Sequence, residues 1–104
     1  MRTKKINEFL HCLNEERFYD AHEVLENLWF PQRFTESCEV KILKGFINAA
    51  VSFELFKRGR SAQSKRVWAN YLKYRQKIFS LDPSVINQYY QLSRSIETIH
   101  NKLH

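Results

Sequence analysis

The chain has 104 residues, enough for one compact core and too few for two domains of ordinary size. At 43% apolar and 27% charged residues, with only two Gly and two Pro, it is neither a disordered tail nor a turn-rich β chain, so a single all-α domain over residues 1–104 is expected. No run approaches the ~18 apolar residues of a membrane span and no signal-peptide block follows the basic start, which points to a cytoplasmic chain with Cys12 and Cys38 as free thiols.

Thr3 can cap a first helix whose Ile6, Phe9, Leu10 and Leu13 recur at the spacing of one helical face. A second helix starts at Phe18 or Tyr19 and is stopped near Phe30 by Pro31. Thr35 or Ser37 opens a third, ended at Arg58 by Gly59. Its second half has almost no polar face, which predicts the buried centre of the bundle. Ser61 caps a fourth helix with a core stripe of Val67, Trp68, Tyr71, Leu72, Ile78 and Phe79, running to about Ser80. Asp82-Pro83 opens a fifth, whose Val85, Tyr89, Leu92, Ile96, Ile99 and Leu103 form a narrow seam suited to a neighbouring helix, with a homo-oligomer as one use of it. The sequence thus predicts a compact bundle of five helices.

Charge is unevenly placed along these helices. Residues 8–39 carry eight acids against Arg17 and Arg33. Residues 57–77 carry Lys57, Arg58, Arg60, Lys65, Arg66, Lys73, Arg75 and Lys77 and no acid. Arg66, Lys73 and Lys77 share a stripe with Asn70, opposite Trp68 and Leu72. Such a patch can neutralise phosphates or pair with the acidic block; the expectation is weak, salt-sensitive, sequence-indifferent nucleic-acid binding at most, with Trp68 and Tyr71 in the core.

The second helix concentrates the groups that can do chemistry. At about 100° per residue, Phe18, Ala21, Leu25, Leu28 and Trp29 share a face with His22, and Glu26 borders it one turn on. Asp20, Glu23 and Asn27 point away. This predicts a half-buried His22–Glu26 pair and a more exposed Glu23. Asn48 and Ser52 share a face of the third helix, and a buried amide needs partners, so a His22–Glu26–Asn48 cluster linking helices two and three is expected. No tight metal site and no cofactor is assigned. A zincin would need a second histidine where Glu26 stands, and a di-iron bundle needs a second Glu-x-x-His beside Glu97-Thr98-Ile99-His100. His100 and His104 at i, i+4 offer only a weak site on a terminal turn.

The run Phe18-x-Asp20-Ala21-His22-Glu23-x-Leu25-Glu26-x-x-Trp29, then Gly45-Phe46-Ile47-Asn48-x-Ala50 and Lys57-Arg58-Gly59, resembles the domain of unknown function 309 family over about residues 13–75. The resemblance implies a small all-helical protein in which His22, Glu23, Glu26 and Trp29 match the family motif unchanged. Asp20 stands for its glutamate and Asn48 for its glutamine. Arg60 replaces an asparagine and Leu55 a frequent histidine, and the loss of that possible second imidazole weakens the metal-dependent hydrolase label attached to such proteins.

Three functions are consistent with these residues. The first is a binding or interaction module, with His22, Glu26, Trp29, Asn48 and Asp20 as its site. The second is an enzyme or metal-binding protein using His22 and Glu26, assisted by Glu23 or Asp20. The third is a nucleic-acid binder through residues 57–77. They are expected in that order, and the sequence leaves open whether there is a catalytic activity.

Overall fold

The computed structural model describes residues 2–104. It contains α1 (Arg2–Asn14), α2 (Phe18–Trp29), α3 (Cys38–Lys57), α4 (Ser61–Arg75) and α5 (Pro83–Leu103). Single 3-10 segments, Phe30–Gln32 and Gln76–Ser80, extend α2 and α4, and no strand occurs among the described residues.

α3 is the centre of the bundle, for the reason its composition predicts. Ile42, Leu43, Phe46, Ile47, Ala49, Ala50 and Phe53 are buried, and they lie on too many sides of one helix to be covered by a single neighbour. α2 packs on one flank and α4 on another, hardly touching each other, while α1 covers α2 and α5 closes the core. The Phe46 ring lies 6.4, 6.2 and 5.8 Å from those of Phe9, Tyr71 and Tyr89, so one side chain joins α1, α4 and α5. Burying a side chain of this kind contributes about 1.5–3 kcal/mol. α4 comes close to α3 at Gly45, where a Cβ would stand 2.9 Å from Tyr74 Cβ.

The ends of the helices follow their local chemistry. Ser37 accepts the Val40 amide at 3.2 Å to start α3, and Asp82 accepts the Ser84 amide at 2.9 Å to start α5, with Pro83 first in the helix. Gly59, at φ +79°, ends α3 in a Schellman turn, with the Arg60 and Gly59 amides on the Leu55 and Phe56 carbonyls. The same pair of bonds ends α1, where Glu16 takes φ +59° at a cost of about 1–2 kcal/mol for a residue with a Cβ.

Several boundaries and faces differ from expectation. α1 already begins at Arg2, so Thr3 lies inside it, and the cap position of α4 is Arg60, without a side-chain bond, rather than Ser61. Phe30 keeps α geometry before Pro31, because proline fits the first turn of the 3-10 segment. In the α4 stripe Tyr71 and Ile78 are buried, but Leu72 is 36% and Phe79 72% exposed. The cause is the change of helix type at Gln76. Each 3-10 residue turns the chain about 120° instead of 100°, so by Phe79 the extra rotation is about 80° and the ring leaves the inner face. Leu72 sits at the edge of that face. The α5 seam, offered to a second chain, is used inside this one: Tyr89, Leu92 and Ile96 are buried and Val85, Ile99 and Leu103 pack on the same core.

Candidate functional site

α2 buries Phe18, Ala21 and Leu25, which fixes where its polar groups stand. His22 is half-buried, and its Nε2 lies 2.8 Å from Glu26 Oε2, whose side chain is 48% exposed. The expected half-buried pair is therefore a half-buried imidazole beside an exposed carboxylate. Glu23 is exposed, as expected, and Asp20 pairs with Arg17 at 3.2 Å. Trp29 is half-buried with Lys44 Nζ 4.5 Å from its ring, a contact that joins α2 to α3.

Asn48 stays out of this group. Its Nδ2 donates to the Lys44 carbonyl at 2.8 Å, one turn back on its own helix, and the buried Ser52 hydroxyl finds no partner among the described residues. A helical amide reaches that carbonyl without ordering a second element, so the local bond wins over a cluster spanning two helices. The contacts that tie α2 to α3 are instead Trp29–Lys44 and apolar packing such as Phe18 on Phe53, at 5.2 Å between rings. Among the described residues no three His, Cys, Asp or Glu side chains are grouped to hold a metal ion. His22 and Glu26 offer two donors on one turn, against the four of a tetrahedral zinc site.

A denser polar group lies between α4 and α5. Glu97 Oε2 accepts from Arg75 and Tyr71 at 2.9 Å and from Ser93 at 3.1 Å. Burial pushes the Glu97 carboxyl up, but the bonds from Arg75, Tyr71 and Ser93 and the Arg75 charge outweigh it and hold the group below its usual range. Burial raises the Tyr71 phenol well above its ordinary value. Sequence reasoning missed this network because its members stand 22 and 26 residues apart. The available signal was Ser93, a hydroxyl on the buried face of α5, with Glu97 one turn on. Arg75, Ser93 and Glu97 of this network form one wall of a cleft of about 490 Å³, which Gln76, Phe79, Tyr90, Arg94 and Asn101 also line. Phe79 and Tyr90 stand 6.2 Å apart at its edge, and both are exposed.

The bases of residues 57–77 divide into two sets. Lys57 pairs with Glu16 at 2.7 Å, Arg58 with Glu54 at 2.8 Å and Arg75 with Glu97 at 2.9 Å. Arg60, Lys65, Arg66, Lys73 and Lys77 make no ion pair among the described residues. No acid occurs between Glu54 and Asp82 to screen them. Of the aromatic residues of α4, Tyr71 is buried, Trp68 is half-buried in a stack with His100, 3.9 Å away and nearly parallel, and His104, and Tyr74 is half-buried against Gly45 with Lys73 Nζ 5.5 Å from its ring.

A family model described as Domain of unknown function (DUF309) matches residues 6–67. The chain belongs to the DUF309 family. No curated protein and no solved structure matches it. The DUF309 match runs from α1 into α4. It takes in the His22–Glu26 pair, Trp29, Asn48 and Arg66, while Lys73, Lys77 and the Phe79–Tyr90 cleft follow its end.

Proposed function

We propose that this DUF309 protein is a helical binding module whose partner is a polyanion, held on the outer face of α4 and the Gln76–Ser80 segment. The observation that carries the reading is the division of the basic block. Three bases are matched by carboxylates of the same chain, and Lys65, Arg66, Lys73 and Lys77 remain exposed or half-exposed along one acid-free element. Like charges held together on a folded surface repel one another, and a bound polyanion relieves that repulsion while releasing its counterions. In this reading the α2 motif is structural: His22 and Glu26 satisfy each other, and Trp29 fixes α2 on α3.

Retention on immobilised heparin tests it. The wild-type protein should elute well above the salt at which Lys73→Glu/Lys77→Glu elutes, with His22→Ala/Glu26→Ala unchanged. Lys4→Glu/Lys41→Glu alters net charge equally elsewhere and should have a smaller effect. Equal loss in both charge variants would reduce the site to bulk charge. The second reading, a metal-binding or hydrolytic protein, rests on the 2.8 Å approach of His22 to Glu26. Stoichiometric zinc, manganese or iron in untagged protein, lost in His22→Ala, would put it first.

A further inference from the structure

We infer that the polyanion is a single-stranded nucleic acid, its backbone along α4 and an unpaired base on the Phe79 and Tyr90 rings. The inference rests on the polyanion reading above.

The cations are placed for a backbone. Arg66 and Lys73 share an outer stripe of α4, about 10 Å apart along its axis, and Lys77 follows about 7 Å further on in the 3-10 segment, turned about 40° from the line of an uninterrupted α-helix, so the three cations mark a curved track. Backbone contacts alone would serve a duplex as well as a single strand. The rings decide between them. Phe79 is 72% and Tyr90 39% exposed, and they meet at the edge of the cleft where the cationic stripe ends. Stacked bases within a duplex offer no free face, whereas an unpaired base can lie on such a ring. The cleft beside the rings carries the groups a base edge needs. Gln76 and Asn101 supply amides that both donate and accept, and Arg94 supplies an unpaired cation, its Cζ 6.0 Å from the Tyr90 ring. The Glu97 charge, which would repel a strand, is offset by Arg75.

Two other macromolecules fit less well. An interfacial membrane helix needs a broad apolar face, and the outer side of α4 and its 3-10 extension shows only Leu72 and Phe79 as large exposed apolar side chains. An acidic peptide would answer the charges but has no planar group of its own to match two rings beside hydrogen-bonding amides. Four of the eight acids of residues 8–39, Glu8, Asp20, Glu23 and Glu26, lie on α1 and α2, which hardly touch α4, and they confine a strand to the basic side.

Fluorescence anisotropy of the full chain tests the inference, with a labelled twelve-nucleotide oligo-thymidine, an abasic oligomer of the same length and a duplex as probes. The base-bearing strand should bind about tenfold or more tighter than the abasic one, the effect expected of base–aromatic stacking. Phe79→Ala/Tyr90→Ala should remove that difference and leave abasic binding unchanged, Phe79→Trp should retain it, and Lys73→Glu/Lys77→Glu should weaken both strands. The log–log salt slope should lie near −2 to −3, at about −0.7 per phosphate for three or four contacts. Both rings are on the surface, and an unchanged helical circular-dichroism spectrum shows that the variants fold. Equal affinity for base-bearing and abasic strands overturns the inference. So does tighter binding of the duplex, or displacement of the strand by polyglutamate or anionic vesicles at lower concentration than unlabelled strand. With heparin retention intact, any of these results leaves the polyanion reading standing; if wild-type protein is not retained on heparin, both fail.

Discussion

α2 and α4 are two amphipathic helices packed on separate flanks of the same α3, and they treat their charges differently. On the α2 side most acids find a partner within the chain: Arg17 reaches both Glu15 and Asp20, Glu16 holds Lys57, and Glu26 lies at hydrogen-bond distance from His22, while Glu23 makes no ion pair among the described residues. On the α4 side the charge facing α5 is matched through Glu97, and the charges facing outward are left without partners. The signs of the two blocks were equally visible as sequence. What separates them is pairing, and pairing is a property of the fold. A motif rich in reactive groups can thus be the quieter surface, and a run of ordinary lysines the more available one.

The largest loss of stability is expected at the helix that both flanks share. Phe46→Ala should cost about 3–5 kcal/mol in urea unfolding, because its ring meets Phe9, Tyr71 and Tyr89 and leaves a cavity between them. A loss under about 1 kcal/mol would show that the flanks do not depend on a common centre. Gly45→Ala should act on the α4 flank alone. Its new Cβ meets the Cβ of Tyr74, which cannot swing away as a side-chain tip can, and the expected loss is about 1–3 kcal/mol. Unchanged stability there would mean that α4 can lift from α3 freely.

Smaller effects sharpen the contrast. A double-mutant cycle of His22→Ala and Glu26→Gln should return a coupling below about 1 kcal/mol, as surface ion pairs do. Coupling above ~2 kcal/mol would mark the pair as more than a helical surface contact. Acid should act in two steps. His100 is held below its usual value by burial and then by His104, so its contribution is present above about pH 6.5 and is lost as the pH falls through the folded value. Glu97 and Asp82 are also depressed, and what they contribute is present above the ordinary carboxylate range and lost as pH falls below it. Thermal melts from pH 7.5 to 3 should therefore fall first by a shallow slope that His100→Gln removes, and then more steeply. A melting temperature flat between pH 7.5 and 5.5 would refute the first step.

Where local chemistry decides, the sequence was legible. Ser37, Gly59 and Asp82-Pro83 mark helix ends through bonds to residues a few positions away, and the polar-free second half of α3 could only be interior. Phe79 was misplaced because a helix that tightens at Gln76 carries no mark in a pattern read at a fixed angle. Asn48 was assigned to a cluster because its need for a partner is evident from its type, whereas the choice of Lys44 over His22 depends on distances between helices. The Tyr71–Ser93–Glu97–Arg75 group escaped for the same reason, being assembled across two helices.

The two tryptophans divide between the two flanks, which makes the molecule its own instrument. Trp29 lies beneath Lys44 where α2 meets α3, and Trp68 is stacked on His100 where α4 meets α5. An imidazolium quenches a neighbouring indole more strongly than a neutral imidazole does. Emission from Trp68 should therefore dim as His100 takes up its proton, while Trp29 emission follows the docking of α2. With either one replaced by phenylalanine, the light from the other reports on a single side of α3, so loosening of one flank can be watched while the other holds.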